Sequence, residues 1–470
     1  MALRVYNTLS RQIEEFRPLR EGEVSVYVCG LTVYDYMHIG HARTYIAFDV
    51  ILRHLKSLGY RVTYVQNITD VDDKIINRAL ERGVPPLELS KEFSERASED
   101  RKNLGLLEPD VYPKVSEHIP DIIDAVRKLI DSGHAYSVGG SVYFDVSTFP
   151  DYGRLSNQKT EELDRHRVEH DSGKRSPLDF SLWKESSEDE LGFDSLWGRG
   201  RPGWHIECSV MSQKYLGDRF DIHGGALDLI FPHHENEIAQ SESLSGKKPF
   251  VRYWLHTGFL NSTGEKMSKS LGNIISVRDF LKGHSASALR LFVLQTNYRS
   301  PIDYSSENVA KAESALKRLG NFRRALGDAI AKSTDSGDHI ALDVMEGAES
   351  DFIGHMNNDF NTSQAVASLF DAVKRINPLL DGGNESAESI KGALDILGRL
   401  LNALGITLPS EAVELTEEES ALVEKRRLLR LNKKWAEADR IRDELLRGGL
   451  ALTDQPDGST LAERVKAVDD

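Results

Sequence analysis

Three places in this sequence carry side chains able to do chemistry. The segment HIGH spans 38–41. His38 and His41 lie three apart and so share one helical face. Gly40 between them has no Cβ and lets a flat ring approach the backbone. At a helix start, unpaired N–H groups and the positive dipole end favour a polyphosphate; two capping or surface histidines are the plainer reading of the same pair. The second place is GEKMSKSLGN at 264–273, where Gly264 and Gly272 flank Lys266 and Lys269. Lysines act as point charges on phosphates, most usefully where phosphate charge shifts in a transition state; a solvated basic loop is the ordinary alternative. The third place gathers both cysteines of the chain. Cys29 follows the first apolar run, Cys208 lies in GWHIECS, and His233 and Glu237 lie in FPHHENEIAQ. The last two are four apart, on one face of a helix. Cys, Cys, His and Glu can complete a four-ligand zinc site, although core packing of the thiols and surface positions for the other two fit the spacing as well.

These residues need elements to hold them. The run VSVYV at 24–28 reads as a strand. Residues 39–58 read as a helix with a stripe of Ala42, Tyr45, Ile46, Phe48, Ile51, Leu55 and Leu58, stopped at Gly59. RVTYV at 61–65 reads as a second strand, and the three make a βαβ unit of a parallel sheet. Ligands gather at the carboxyl ends of parallel strands, and HIGH sits at that crossover. Residues 86–135 look helical and charged, and 140–200 look like an insertion with short strands such as SVYFDV. Strand-like and helical segments alternate again over 218–260, and the pattern is helical from about 275. SEAVELTEEES at 410–420 sets off a last helix. Its segment EKRRLLRLNKKWAEADRIRDEL carries Leu428, Leu431, Trp435, Ala438, Ile441 and Leu445 at helical spacing, with Lys425, Arg426, Arg427, Arg430, Lys433 and Lys434 beside them.

Composition bounds the answer. At 470 residues the chain suggests about three domains. With 40% hydrophobic and 28% charged residues it is ordinary globular material, not collagen-like, disordered or disulfide-stapled. The net charge of −15 means that any nucleic-acid partner must meet a local basic face, for which the segment above is the candidate. Two cysteines fit a reducing cytoplasm. The first residues lack the apolar core of a signal peptide, and no apolar run is long enough to predict a membrane span.

HIGH followed far downstream by KMSKS resembles the class I aminoacyl-tRNA synthetases, which use both motifs on a Rossmann-type fold to make aminoacyl-adenylate. YVCGLTVYDYMHIGHAR, NITDVDDK, GRPGWHIECSVMS and DIHGGALDLIFPHHENEIAQS resemble the cysteinyl-tRNA synthetases within that class, over nearly the whole chain. The resemblance implies an α/β fold: a Rossmann-type parallel-sheet catalytic domain split by an insertion, then a helical-bundle anticodon-binding domain. The boundaries expected are 1–120 and 201–310 for the catalytic halves, 121–200 for the insertion, 311–410 for the helical domain and 411–470 for a C-terminal tRNA-contacting segment. It implies Cys29, Cys208, His233 and Glu237 as zinc ligands, with the substrate thiolate as an added ligand. Gly30, Thr69, Trp204 and His223 match the amino-acid pocket, and Asp228 in GGALD matches the hold on the adenosine ribose.

The chemistry implied is two in-line steps: cysteine carboxylate attacks the α-phosphate of ATP, then the terminal ribose hydroxyl of cysteine tRNA attacks the adenylate. His38, Gly40 and His41 would hold the phosphates, Lys266 and Lys269 would meet the phosphorus and pyrophosphate, and Mg²⁺ would accompany ATP. Rejecting serine, one atom away, is hard for shape alone, at about 10–200-fold per small group; zinc binds thiolate strongly while an alcohol stays protonated. MNNDFNTSQA at 356–365 matches the helical domain, and the end DGSTLAERVKAVDD departs from the family, leaving the last ten residues without an expected role. The resemblance also implies a monomer. A cysteine-activating amide ligase of mycothiol synthesis would share the adenylation halves but not need residues 311–470, and a non-catalytic nucleotide-binding regulator would not need intact motifs. Some relatives make cysteine persulfide through a KIIK segment; here it reads Lys74-Ile75-Ile76-Asn77, one lysine short.

Overall fold

The computed structural model describes residues 2–158, 173–262, 265–266, 274–334, 336–408, 415–431, 434–454 and 460–464. A short strand Arg4–Asn7 (β1) leads to the predicted βαβ unit: strand Glu23–Thr32 (β2), helix Ile39–Ser57 (α1) and strand Arg61–Thr69 (β3). Val24, Val26 and Val28 point into one core and Tyr27 and Cys29 into another, as a strand covered on both faces requires. Gly59 ends the helix at a φ of 88°, which a side chain would resist. Helices Asp73–Arg82 (α2), Pro86–Asn103 (α3) and Ile119–Asp131 (α4) follow.

The insertion is an antiparallel sheet of Ala135–Val138 (β4), Ser141–Phe144 (β5), Phe180–Glu185 (β6) and Gly200–Pro202 (β7), in that order. The chain then re-enters through helix Trp204–Leu216 (α5), strand Phe220–Ala226 (β8), helix Glu235–Ser245 (α6) and strand Val251–Thr257 (β9). The central sheet runs β9–β8–β2–β3, all parallel. Phe144, Phe180 and Trp183 of the insertion share a core with Tyr27, Phe220 and Trp254 of one sheet face. On the α1 side the core continues unbroken into the helices Ala286–Leu294 (α7), Ser306–Ile330 (α8), Ile340–Met356 (α9), Thr362–Gly382 (α10) and Ala387–Ala403 (α11).

Two expectations change. Cys29 falls inside β2 rather than after a strand ending at 28, because pairing with β3 continues to Thr32. The single last helix is two, Glu417–Leu431 (α12) and Trp435–Arg447 (α13), followed by a hairpin of Leu450–Asp454 (β10) and Thr460–Arg464 (β11). Folding back lets Ile441 and Leu445 meet Leu450 and Leu452 in a small core of their own, which one continuous helix could not form. Trp435 and Leu428 stay exposed. Arg426 is buried and bidentate on Asp454, which also pairs with the part-exposed Arg430; Arg426 is thus withdrawn from the expected basic stripe and Arg430 is paired within it. Residues 465–470 lie outside the described residues.

Candidate functional site

β2, α1, β8 and α5 converge on a pocket of about 360 Å³ at the carboxyl ends of the parallel strands, lined among others by Cys29, Gly30, His38, His41, Trp204 and Asp228. Its floor is built where α1 begins. His38 is the N-cap, its Nδ1 accepting from the His41 backbone N–H at 3.2 Å, and His41 Nδ1 reaches back to the His38 N–H at 3.5 Å. The two rings stack with centroids 3.5 Å apart. A Cβ on Gly40 would sit 2.9 Å from His38 Nδ1, so the glycine is what lets that ring fold onto the helix start. With both Nδ1 atoms accepting, each neutral ring carries its proton on Nε2, the kind of donor that phosphate oxygens accept.

The strand Leu260–Ser262 that leads to the lysine motif starts at the pocket, which Leu260 lines. Lys266 pairs through its backbone with Asn261. Beyond the motif, Ile39 N–H donates to Ile275 O at 3.0 Å and Val277 N–H to Met37 O at 2.8 Å, so its downstream stem is tied to the helix start. Lys269 lies outside the described residues.

At the inner end the four expected ligands meet. One donor atom from each of Cys29, Cys208, His233 and Glu237 lies within 4.8 Å of every other, all buried. The sulfurs are 4.0 Å apart and His233 Nε2 is 3.1 Å from Glu237 Oε1. Tetrahedral zinc with bonds of about 2.0–2.3 Å needs ligand atoms some 3–4 Å apart, so the set fits that ion. Cys29, His223, His234 and Glu237 form a second, overlapping set; the first, with two thiols, is the softer and better suited to zinc. His233 sits on the wide turn Ile230–His234 before α6, not within it.

The surrounding charges set which of these donors keep a proton. The hydrogen bond from Cys29 holds the Cys208 thiol down to about 6 against burial, while burial pushes the Cys29 thiol up. Burial opposes ionisation of Glu237, but His223 and His233 outweigh it and hold the carboxyl down to about 2. Burial likewise favours a neutral His233, but Glu237 and Cys208 outweigh it and push the ring up to about 10.

The other expected pocket residues divide. Trp204 stacks on His233 with centroids 4.3 Å apart and walls the pocket. Gly30 and Asp228 line it. Thr69 ends β3 and donates to buried Glu207 at 3.3 Å. His223 lies behind the ligands, fully buried, with Nε2 2.8 Å from Glu237 Oε2. The sequence reading passed over His234, whose Nε2 is 3.3 Å from Cys29 Sγ and whose Nδ1 is 2.7 Å from His256 Nε2. The doubled histidine in FPHHENE was its only signal. His205, 3.0 Å from His233 Nδ1, was also missed.

A parallel sheet whose first crossover helix opens on stacked histidines, facing a pocket at the strand ends, is the catalytic fold of class I tRNA synthetases. Residues 15–314 match the family described as tRNA synthetases class I (C) catalytic domain, and 351–408 match the DALR domain. In fold the chain is similar to Mycobacterium tuberculosis methionyl-tRNA synthetase in complex with methionyl-adenylate, with TM-score 0.63 and 16% identity over 81% of this chain and 90% of that one. It is 49% identical to a cysteine–tRNA ligase of Thermococcus onnurineus over 98% of both chains, and 46% identical to that of Alkalilimnicola ehrlichii over 97% of this chain and 99% of the relative. The chain belongs to the cysteine–tRNA ligase family.

Proposed function

We propose that this chain activates L-cysteine with ATP to cysteinyl-adenylate and transfers it to the 3′ end of cysteine tRNA. The observation that carries the reading is the meeting of four buried metal donors at the inner end of a pocket whose floor is the histidine-capped start of α1. Cysteine enters side chain first, toward Cys29, and Trp204 closes over it. Its carboxylate is left facing the helix start, where His38 and His41 hold the ATP phosphates by their Nε2–H groups and the positive end of the helix dipole adds to them. Asp228 takes the ribose hydroxyls. Zinc held by Cys29, Cys208, His233 and Glu237 supplies a preference for thiolate over alcohol. No side chain acts as a nucleophile; positioning and charge carry both steps. Lys266 and Lys269 meet the developing charge on the phosphates with Mg²⁺ present.

The module α12–α13–β10–β11 and the helices α8–α11 serve the tRNA, with exposed Trp435 and Lys434 at the start of α13 as the contact. Helical and C-terminal regions of this extent have no use in an amide ligase. Two buried free cysteines suit a reducing compartment, and no helix among the described residues is long and apolar enough to cross a membrane.

Pyrophosphate exchange into ATP tests the reading directly. It should require cysteine, reject serine, and be followed by charging of cysteine tRNA; exchange that ignores cysteine overturns the proposal. Lys269→Ala should cut exchange at least a hundredfold while cysteine binding, read by calorimetry, changes less than threefold. An unchanged exchange rate removes Lys269 from the mechanism.

A further inference from the structure

One buried side chain belongs to neither motif nor to the ligand set, yet meets Gly30, Thr69 and the Cys208 sulfur at the pocket's inner end. In the β2–β3 pairing, Val28 is opposite Gln66 and Leu31 is opposite Ile68. Cys29 and Gly30 therefore face a single residue, Asn67, which is a β-bulge. Its effect shows in the burial pattern. Side chains of a regular strand alternate, so Tyr27, Cys29 and Leu31 would share one face. Tyr27 and Cys29 do share a core, but Leu31 joins the opposite one with Val26 and Val28. The bulge resets the phase of the strand directly after Cys29, and it is there that Cys29, Gly30 and Leu31 line the pocket.

Such a bulge leaves an N–H without a ladder carbonyl. Gly30 N–H donates instead to Asn67 Oδ1 at 2.8 Å. The approach is close enough that a Cβ on Gly30 would lie 1.5 Å from the Asn67 carbonyl oxygen. The same Oδ1 lies 3.8 Å from Cys208 Sγ. The other end of the amide, Nδ2, donates to Thr69 Oγ1 at 3.2 Å, and the Thr69 hydroxyl in turn donates to Glu207 Oε2 at 3.3 Å. Asn67 is 1% exposed. Its amide thus has one acceptor and one donor in use, on the two sides of the pocket's inner end.

We propose that Asn67 is the positioning residue of the amino-acid pocket: its Oδ1 locks the bulge that aims Cys29 into the donor set, and its Nδ2 orients the Thr69 hydroxyl. The inference rests on the reading of this pocket as the cysteine site. An aspartate keeps the acceptor for Gly30 but loses the donor to Thr69; an alanine loses both and leaves a buried N–H unpaired, which is costly. The two substitutions therefore separate aiming the ligand from orienting the hydroxyl.

The test compares the wild-type chain with Asn67→Ala and Asn67→Asp by zinc affinity in a chelator competition and by KM in cysteine-dependent pyrophosphate exchange. Groups that orient metal ligands typically contribute about 10–100-fold to affinity. Asn67→Ala should weaken zinc at least tenfold and raise KM for cysteine at least tenfold, with KM for ATP within twofold. Asn67→Asp should bring zinc affinity back to within threefold of wild type while KM for cysteine stays raised. Zinc affinity and KM for cysteine both within twofold of wild type in Asn67→Ala overturn the proposal. So does a parallel rise in KM for ATP, which marks a loss of fold. If the wild-type chain shows no cysteine-dependent exchange, the functional reading fails, and the zinc competition still decides whether Asn67 aims Cys29.

Discussion

At the scale of single residues, Trp204 and His233 show how a metal donor and a substrate wall are made from one contact. Trp204 opens α5, Cys208 lies one turn on, and the indole stacks on the His233 ring at 28°. Stacked rings of this kind contribute about 0.5–1.5 kcal/mol beyond the area they bury. Removing the indole opens the pocket above the donors without touching α1. Trp204→Ala should therefore raise KM for cysteine about tenfold and leave KM for ATP within twofold, and Trp204→Phe should recover most of the loss. Equal KM for cysteine in wild type and Trp204→Ala would take the indole out of substrate binding.

Among the elements, the C-terminal module α12–α13–β10–β11 is closed by its small core and by a buried ion pair. Arg426 is buried and grips Asp454 with two bonds of 2.7 Å. That bond, against the cost of burial, holds the Asp454 carboxyl down to about 2 from an ordinary 3.8. A depressed carboxylate stabilises the fold above its unfolded pKa and loses that contribution as pH falls through its folded one. With the Asp454 side chain 29% exposed, solvent screening trims the effect to about 1–2 kcal/mol. Opening of the β10 amides, read as the ratio of observed to intrinsic hydrogen-exchange rate at each pH, should accelerate between pH 4 and pH 2 and be level above pH 5. In Asp454→Asn it should be fast and level throughout, and a wild-type profile that is level from pH 2 to pH 5 would remove the pair as the module's clasp. This module is also where the sequence misled. Apolar residues from Leu428 to Leu445 keep helical spacing across the break, and spacing cannot distinguish one helix from two folded together. The βαβ unit was legible because burial on both strand faces writes itself as VSVYV and RVTYV. The bulge at Cys29 and Gly30 was not, because a phase shift of one residue depends on which strand lies alongside. The four donors were legible through motif context, whereas His205, His234 and Asn67 come into view only when β3, α5 and the turn before α6 are brought together.

For the whole molecule, the question is how the helical region α8–α11 is kept in register with a pocket on the other side of α1. Two buried clamps do this. Asp359, at a φ of 60°, accepts from Tyr6 N–H at 2.7 Å and Tyr298 O–H at 2.9 Å and pairs with Arg299, while Asn357 Oδ1 meets His54 Nε2 at 2.9 Å near the far end of α1. A non-glycine residue in that conformation is strained and persists only where its surroundings over-determine it; the MNNDFN segment is this joint. The second clamp is Arg290 on α7. It pairs with Asp49 of α1, and donates to Leu404 O at the end of α11 at 2.8 and 3.0 Å and to Leu104 O after α3 at 3.3 Å. Gly405 turns away at a φ of 63°, where a Cβ would lie 2.0 Å from Arg290 Nη2. Arg290→Met keeps the apolar stem but leaves Asp49 to Arg53 at 2.8 Å and to the Leu107 N–H at 2.7 Å. Breaking a buried pair in this way costs about 3 kcal/mol, concentrated at the joint rather than in the pocket. Cysteine-dependent pyrophosphate exchange, which uses only the pocket, should stay within threefold of wild type, while kcat/KM for charging tRNA should fall at least tenfold in the same preparation. If exchange fell as far as charging, Arg290 would be acting on the pocket itself; if neither moved, α11 would be held in place by its apolar packing and the buried pair would carry no register.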